Sequence, residues 1–126
     1  MTKKIILTAG APAPVGPYNQ AVLSGNTLYC AGQIPLTKNG QKVAGGVAEQ
    51  TEQVFANIKA VLTEAGATLD HVVKTTVFLT SMDDFPEMNK VYARHFKEGL
   101  APARSTVAVA ALPLGVAVEI EVIATL

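Results

Sequence analysis

The chain has 126 residues, ten basic and ten acidic side chains, a formal net charge of zero and a 49% hydrophobic composition. Surface scaling leaves about 6,400 Å² exposed out of about 19,000 Å² in the unfolded chain, enough burial for a core without disulfides or metals. Basic residues are scattered apart from Lys3-Lys4. That pattern argues against the basic stripe that displaces counterions from nucleic acid, and no apolar run approaches a membrane span.

The predicted elements begin with a short strand over 5–8. Residues 9–17 read as a loop, because Pro12, Pro14 and Gly16-Pro17 cannot sit inside a helix or a central strand. Strands over 21–23 and 27–31 flank Ser24-Gly25-Asn26, a hairpin signal. Residues 33–46 form a loop with an Asn39-Gly40 turn. Helix periodicity is clearest over 47–65, where Val47, Val54, Ile58, Val61, Leu62 and Ala65 share one face and Gly66 stops the helix. A Val/Thr-rich strand follows over 72–80. A second helix is expected over 84–97, with an Asp84/Glu87 capping box and an apolar stripe of Phe85, Met88, Val91, Tyr92 and Phe96. Two strands, over 105–110 and 116–125, close the chain.

This order predicts a single domain over 1–126: an α+β fold whose mixed sheet carries both helices on one face. The other face then still bears apolar side chains such as Val107, Val109, Val118, Ile120 and Val122 or their neighbours. With no third helix to cover it, a second subunit is the simplest cover.

Arg104 follows a Pro102-Ala103 turn at the mouth of a strand. Its planar fork matches a carboxylate bidentately, although an ordinary surface ion pair would also suit it. Glu119 and Glu121 fall on one face of the last strand, which is either solvated or the wall of a cleft where a carboxylate could activate water. A slip of one residue would change which of these share a face with Arg104. Tyr18 either caps a pocket or packs at a loop base. Gly32 marks either a close backbone approach to a ligand or a bulge. Asn89 lies at the edge of the second helix's stripe or in solvent. The single cysteine, Cys30, excludes an intrachain disulfide, fits a reducing compartment and reads as a small buried apolar residue. His71 and His95 lack metal-ligand companions, and no zinc, Walker or dinucleotide motif is present. A chain without signal or span is expected to be cytoplasmic, needing neither cofactor nor metal.

Gly16-Pro17-Tyr18, Ala31-Gly32-Gln33-Ile34-Pro35, Lys74-Thr75-Thr76-Val77-Phe78, Pro102-Ala103-Arg104-Ser105 and Glu119-Ile120-Glu121 together resemble the RidA (YjgF) family of reactive-intermediate deaminases. The resemblance covers almost the whole chain, in the family's order and near its spacing. It implies a chorismate-mutase-like fold, a homotrimer with a central barrel, and sites in the clefts between subunits. It further implies cofactor-free hydrolysis of 2-aminoacrylate, 2-iminopropanoate and related 2-imino acids to 2-oxo acids and ammonia; the charge balance and the apolar-run lengths, separately, leave neither nucleic acid nor membrane as an expected partner. Carried over by motif, Arg104 would clamp the substrate carboxylate and Glu119 would position water. Gly32 and Thr106 would supply backbone donors, Ser105 would lie among the substrate-binding residues, and Tyr18 and Asn89 would form pocket walls. Thr106 stands where many members have Cys, and the short 98–101 connection departs from the family pattern at the rim. The competing reading is a non-catalytic trimer that binds small carboxylates or acts as a chaperone-like holdase.

Overall fold

The computed structural model describes residues 2–126. Its strands are β1 (Lys3–Ile6), β2 (Ala21–Ser24), β3 (Thr27–Gln33), β4 (Val72–Leu79), β5 (Ala103–Ala108) and β6 (Val118–Thr125), and its helices are α1 (Val47–Glu64) and α2 (Phe85–Arg94). The strands form one six-stranded sheet in the order β1-β2-β3-β6-β4-β5. Every pairing is antiparallel except β4 with β5, whose crossover carries α2. The expected mixed sheet with two helices is therefore present. Among the described residues no helix is long and apolar enough to cross a membrane. The chain exposes 6764 Å², close to the value of about 6,400 Å² that its size implies.

Alternation in β6 fixes the two faces. Val118, Ile120, Val122 and Ala124 are buried beneath the helices. Glu119, Glu121 and Ile123 point the other way, by the period of two that any strand imposes. Val118, Ile120 and Val122 are thus core residues, and their neighbours occupy the uncovered face. That face still presents apolar surface through Tyr29 and Val107, both exposed.

Helix α1 ends as its sequence requires. Gly66 is left-handed (φ 81°), its N–H donates to the Thr63 carbonyl, and the Ala67 N–H reaches back to the Leu62 carbonyl. This is a Schellman closure. Phe55, outside the expected stripe, is fully buried. Its ring stacks on His95 at 4.1 Å and meets Tyr92 edge-on, tying α1 to α2.

The second helix is shorter than periodicity implied. Asp84 adopts a helical backbone and makes no side-chain cap, so the capping box does not form. The reason lies upstream: Ser81 caps a 3₁₀ turn over Met82–Asp84 by accepting the Asp83 N–H, leaving Asp84 inside a turn already begun. At the other end His95 leaves the helix, with Nε2 2.6 Å from Glu52 Oε1. In the strands, β1 begins two residues earlier than expected, and β5 starts at Ala103 and stops at Ala108.

Buried amides fasten the loops around the future site. Gln20 donates to the carbonyls of Thr8, Ala11 and Pro12 and accepts the Thr8 N–H. Asn57, on α1, donates to the carbonyls of Ile34 and Leu36. Each satisfies backbone groups that would otherwise be costly to bury.

Candidate active site

Arg104 pairs across the sheet with fully buried Thr75, which places it on the helix-covered face of edge strand β5. Its Nη1 donates to Asn89 Oδ1 at 2.8 Å. The guanidinium also lies over the rings of Tyr92 (4.6 Å) and Phe85 (5.5 Å). The Tyr92 hydroxyl is itself held 2.7 Å from Thr75 Oγ1. Phe85, Asn89 and Tyr92 stand at i, i+4 and i+7 on α2, so one helix face builds the whole cradle. Sequence reasoning assigned Phe85 and Tyr92 to the core alone; their helical spacing from Asn89 was the signal that linked them to Arg104. Among the described residues, no carboxylate is paired with Arg104. A cleft of ≈ 510 Å³ opens beside it, lined by Asn89, Tyr92, Phe96, Pro102 and, from the 98–101 connection, Glu98, Gly99 and Ala101.

Thr106, two residues along β5, shares Arg104's face, opposite Val77. Its Oγ1 is buried without a hydrogen-bond partner among the described residues. Ser105 turns the other way, where its Oγ accepts a hydrogen bond from Lys74 Nζ at 3.0 Å. The Ser105 side chain therefore does not stand beside the guanidinium.

Glu119 pairs with Phe78 on the uncovered face of the sheet. It is half-buried and lies directly over Gly32. A Cβ at position 32 would collide with the carboxylate, falling 2.9 Å from its Cδ and 3.0 Å from its Cγ. The bulge expected at Gly32 is present as well, since the β3–β6 register shifts between Cys30 and Gln33. The bulge reading of this glycine thus holds, and the group that lies against its backbone is the Glu119 side chain. Burial, and secondarily the neighbouring Glu121, push the Glu119 carboxyl above its ordinary range. Around it is a cleft of ≈ 390 Å³ lined by Val15, Tyr18, Gly32, Ile34 and Pro113. Tyr18 accepts the Val15 N–H through its hydroxyl at 3.3 Å, which curls the loop over this cleft.

The candidate residues therefore form two groups on opposite faces of one sheet. Arg104, Asn89 and Thr106 make one; Tyr18, Gly32 and Glu119 make the other. Cys30 belongs to neither: it is buried, and desolvation pushes its thiol up to about 12. His71 accepts the Thr68 N–H through Nδ1 in a local turn, and His95 is engaged with Glu52 and Phe55. No cluster of three or more metal-ligating side chains occurs among the described residues.

Residues 8–126 match the family model described as Endoribonuclease L-PSP. The chain belongs to the RidA (YjgF) family. Within it, the chain is 51% identical to a RutC family protein of Pyrococcus horikoshii, covering 97% of each. It is 45% identical to the human 2-iminobutanoate/2-iminopropanoate deaminase, over 98% of this chain and 90% of that one. Its fold superposes on the crystal structure of E. coli TdcF with bound serine at a TM-score of 0.92, with 40% identity and 98% of both chains covered. RidA-family members thus carry several functional names on one fold, and the site must decide among them.

Proposed function

We propose that this chain hydrolyses 2-imino acids, and the enamines that tautomerise to them, to 2-oxo acids and ammonia. The observation that carries the reading is the prepared guanidinium of Arg104. It is oriented by Asn89, backed by two rings, and left without a carboxylate of its own. Such a fork suits the carboxylate of a small acid. The human relative's name gives the reaction, and the serine in the TdcF crystal is a ligand of that carboxylate class.

In this reading the iminium carbon next to the clamped carboxylate is attacked by water. The C–O bond forms as the C=N π pair moves to nitrogen, and the attacking water loses a proton to Glu119. Glu119 returns that proton to the carbinolamine nitrogen; the hydroxyl then gives its own proton to the Glu119 carboxylate, and its oxygen pair forms the C=O bond of the 2-oxo acid as the C–N pair leaves with ammonia. A carboxyl held above its ordinary range is suited to this exchange, being a stronger proton acceptor than a solvated one. Backbone donors near Gly32 and Thr106 supplement the clamp. Because Arg104 and Glu119 occupy opposite faces, the reading requires copies of the chain to bring the two groups together. We assign that role to a homotrimer in which the edge strand β5 that carries Arg104 lies against the Glu119 cleft on the uncovered face of the next copy. A cytoplasmic setting accompanies it, in keeping with a single cysteine, Cys30, that has no partner for an intrachain disulfide.

Generating 2-aminoacrylate in situ with a dehydratase and following 2-oxo acid release tests the reaction. Wild type accelerates release and Arg104→Ala does not. Equal rates from the two proteins would leave the non-catalytic carboxylate binder or holdase as the better reading. The net charge of zero gives no support to a ribonuclease.

A further inference from the structure

The turn between β5 and β6 contains Leu114 with φ 57°, the one left-handed non-glycine residue among those described. A turn that needs only this backbone is served most easily by Gly or Asn. Here a leucine takes it and remains 65% exposed, so burial does not compensate the strained conformation. What the side chain does is line a cavity of ≈ 540 Å³. The turn is held in place from across the site, since Lys42 Nζ donates to the Leu114 carbonyl at 3.1 Å. Non-glycine residues held in this region concentrate at ligand-contacting sites, which gives the observation its direction.

The cavity is not separate from the Glu119 cleft. The two share Val15, Tyr18, Gly32, Ile34 and Pro113 as lining, and the larger one adds Leu36 and Leu114. An acid whose reacting carbon sits at Glu119 therefore has apolar space beside it, larger than the methyl of 2-iminopropanoate requires. Gln20 is occupied by backbone partners, and the other polar side chains of the lining, Gln33, Lys38 and Asn39, accompany a wall of Val15, Ile34, Leu36, Pro113 and Leu114.

Building on the imine-hydrolysis reading, we propose that Leu114 is a specificity-determining residue. It forms, with Val15, Ile34 and Leu36, the subsite for the substrate's side chain and favours 2-imino acids with branched aliphatic groups over the smallest ones. Removing an apolar wall from such a pocket changes discrimination by roughly 10-fold or more.

The test generates imines in situ with a D-amino-acid oxidase acting on D-alanine and on D-leucine, with semicarbazide competing for the imine. Wild type, Leu114→Asn and Leu114→Met are compared. Asn tolerates the left-handed backbone, so this variant removes the apolar wall without disturbing the turn; Met keeps the wall. The expected result is a loss of about 10-fold in kcat/KM for the leucine-derived imine in Leu114→Asn. The alanine-derived imine should change less than about twofold, with Leu114→Met close to wild type. If wild type hydrolyses both imines and Leu114→Asn alters them equally or not at all, the subsite assignment is overturned while the reaction stands. If wild type hydrolyses neither, the reaction itself fails and this assignment with it.

Discussion

Replacing Arg104 by lysine keeps the charge and removes the geometry. In the structure one guanidinium nitrogen is committed to Asn89 at 2.8 Å and the plane rests 4.6 Å from the Tyr92 ring. This leaves the remaining edge of the fork for a carboxylate. An ammonium can hold Asn89 or reach one carboxylate oxygen, but it cannot present two parallel N–H groups. One charge-assisted hydrogen bond is worth about 1.5–3 kcal/mol. A loss of about 2 kcal/mol corresponds to ~30-fold in kcat/KM. Since the carboxylate is held equally before and during attack, most of the loss should enter through KM. Steady-state kinetics on enzymatically generated 2-aminoacrylate gives the split, and urea unfolding of both proteins checks that the fold is retained. A correctly folded Arg104→Lys protein within threefold of wild type would refute the bidentate clamp.

Gly32→Ala introduces a Cβ into the space filled by the Glu119 carboxylate. We expect at least a 10-fold fall in kcat, as for a displaced acid–base group; wild-type kcat in this variant would remove Glu119 from its assigned role. Glu119 also leaves a mark on stability. Its folded pKa is raised, so across the window from the ordinary carboxylate value up to the raised one the folded protein binds more protons than the unfolded chain. The group's contribution is therefore full below that window and declines as pH rises through it. Glu119→Gln abolishes the decline, so urea titrations should find the variant gaining on wild type as pH increases, and a pH-independent difference would contradict the burial effect. Cys30, with its thiol pushed up to about 12, should be about one part in ten thousand thiolate at pH 8 and alkylate only after unfolding. Rapid labelling of the native protein by iodoacetamide would be the contrary result.

The elements were legible wherever a local rule decides. Glycine at position 66 ended α1, and the Ser24-Gly25-Asn26 turn paired β2 with β3. Asp84 misled because the capping rule sees only four residues, while Ser81 had begun a turn three residues before. Phe55 escaped the stripe because a helix contacting both a sheet and another helix buries a wider arc than one face. At the site, the family motifs brought the expected residues into view, and the structure unites Gly32 with Glu119 and Arg104 with Asn89. What no local pattern contained was the side of the sheet on which each group falls. Arg104 and Glu119 are separated by strand pairing, and register is a property of partners distant in sequence. Ser105 is the opposite case: next to Arg104 in a strand, it turns away from it by the local period of two.

The sheet that divides Arg104 from Glu119 also sets a condition on when the protein can work. Under the proposed reaction, each chain supplies a clamp to one neighbour and an acid–base group to another, so activity is a property of association. Dilution below the assembly constant would then act as an inhibitor, and a ligand spanning both groups would tighten the assembly by mass action. Two chains disabled at different halves, one at Arg104 and one at Glu119, would between them still contain the parts of an intact site.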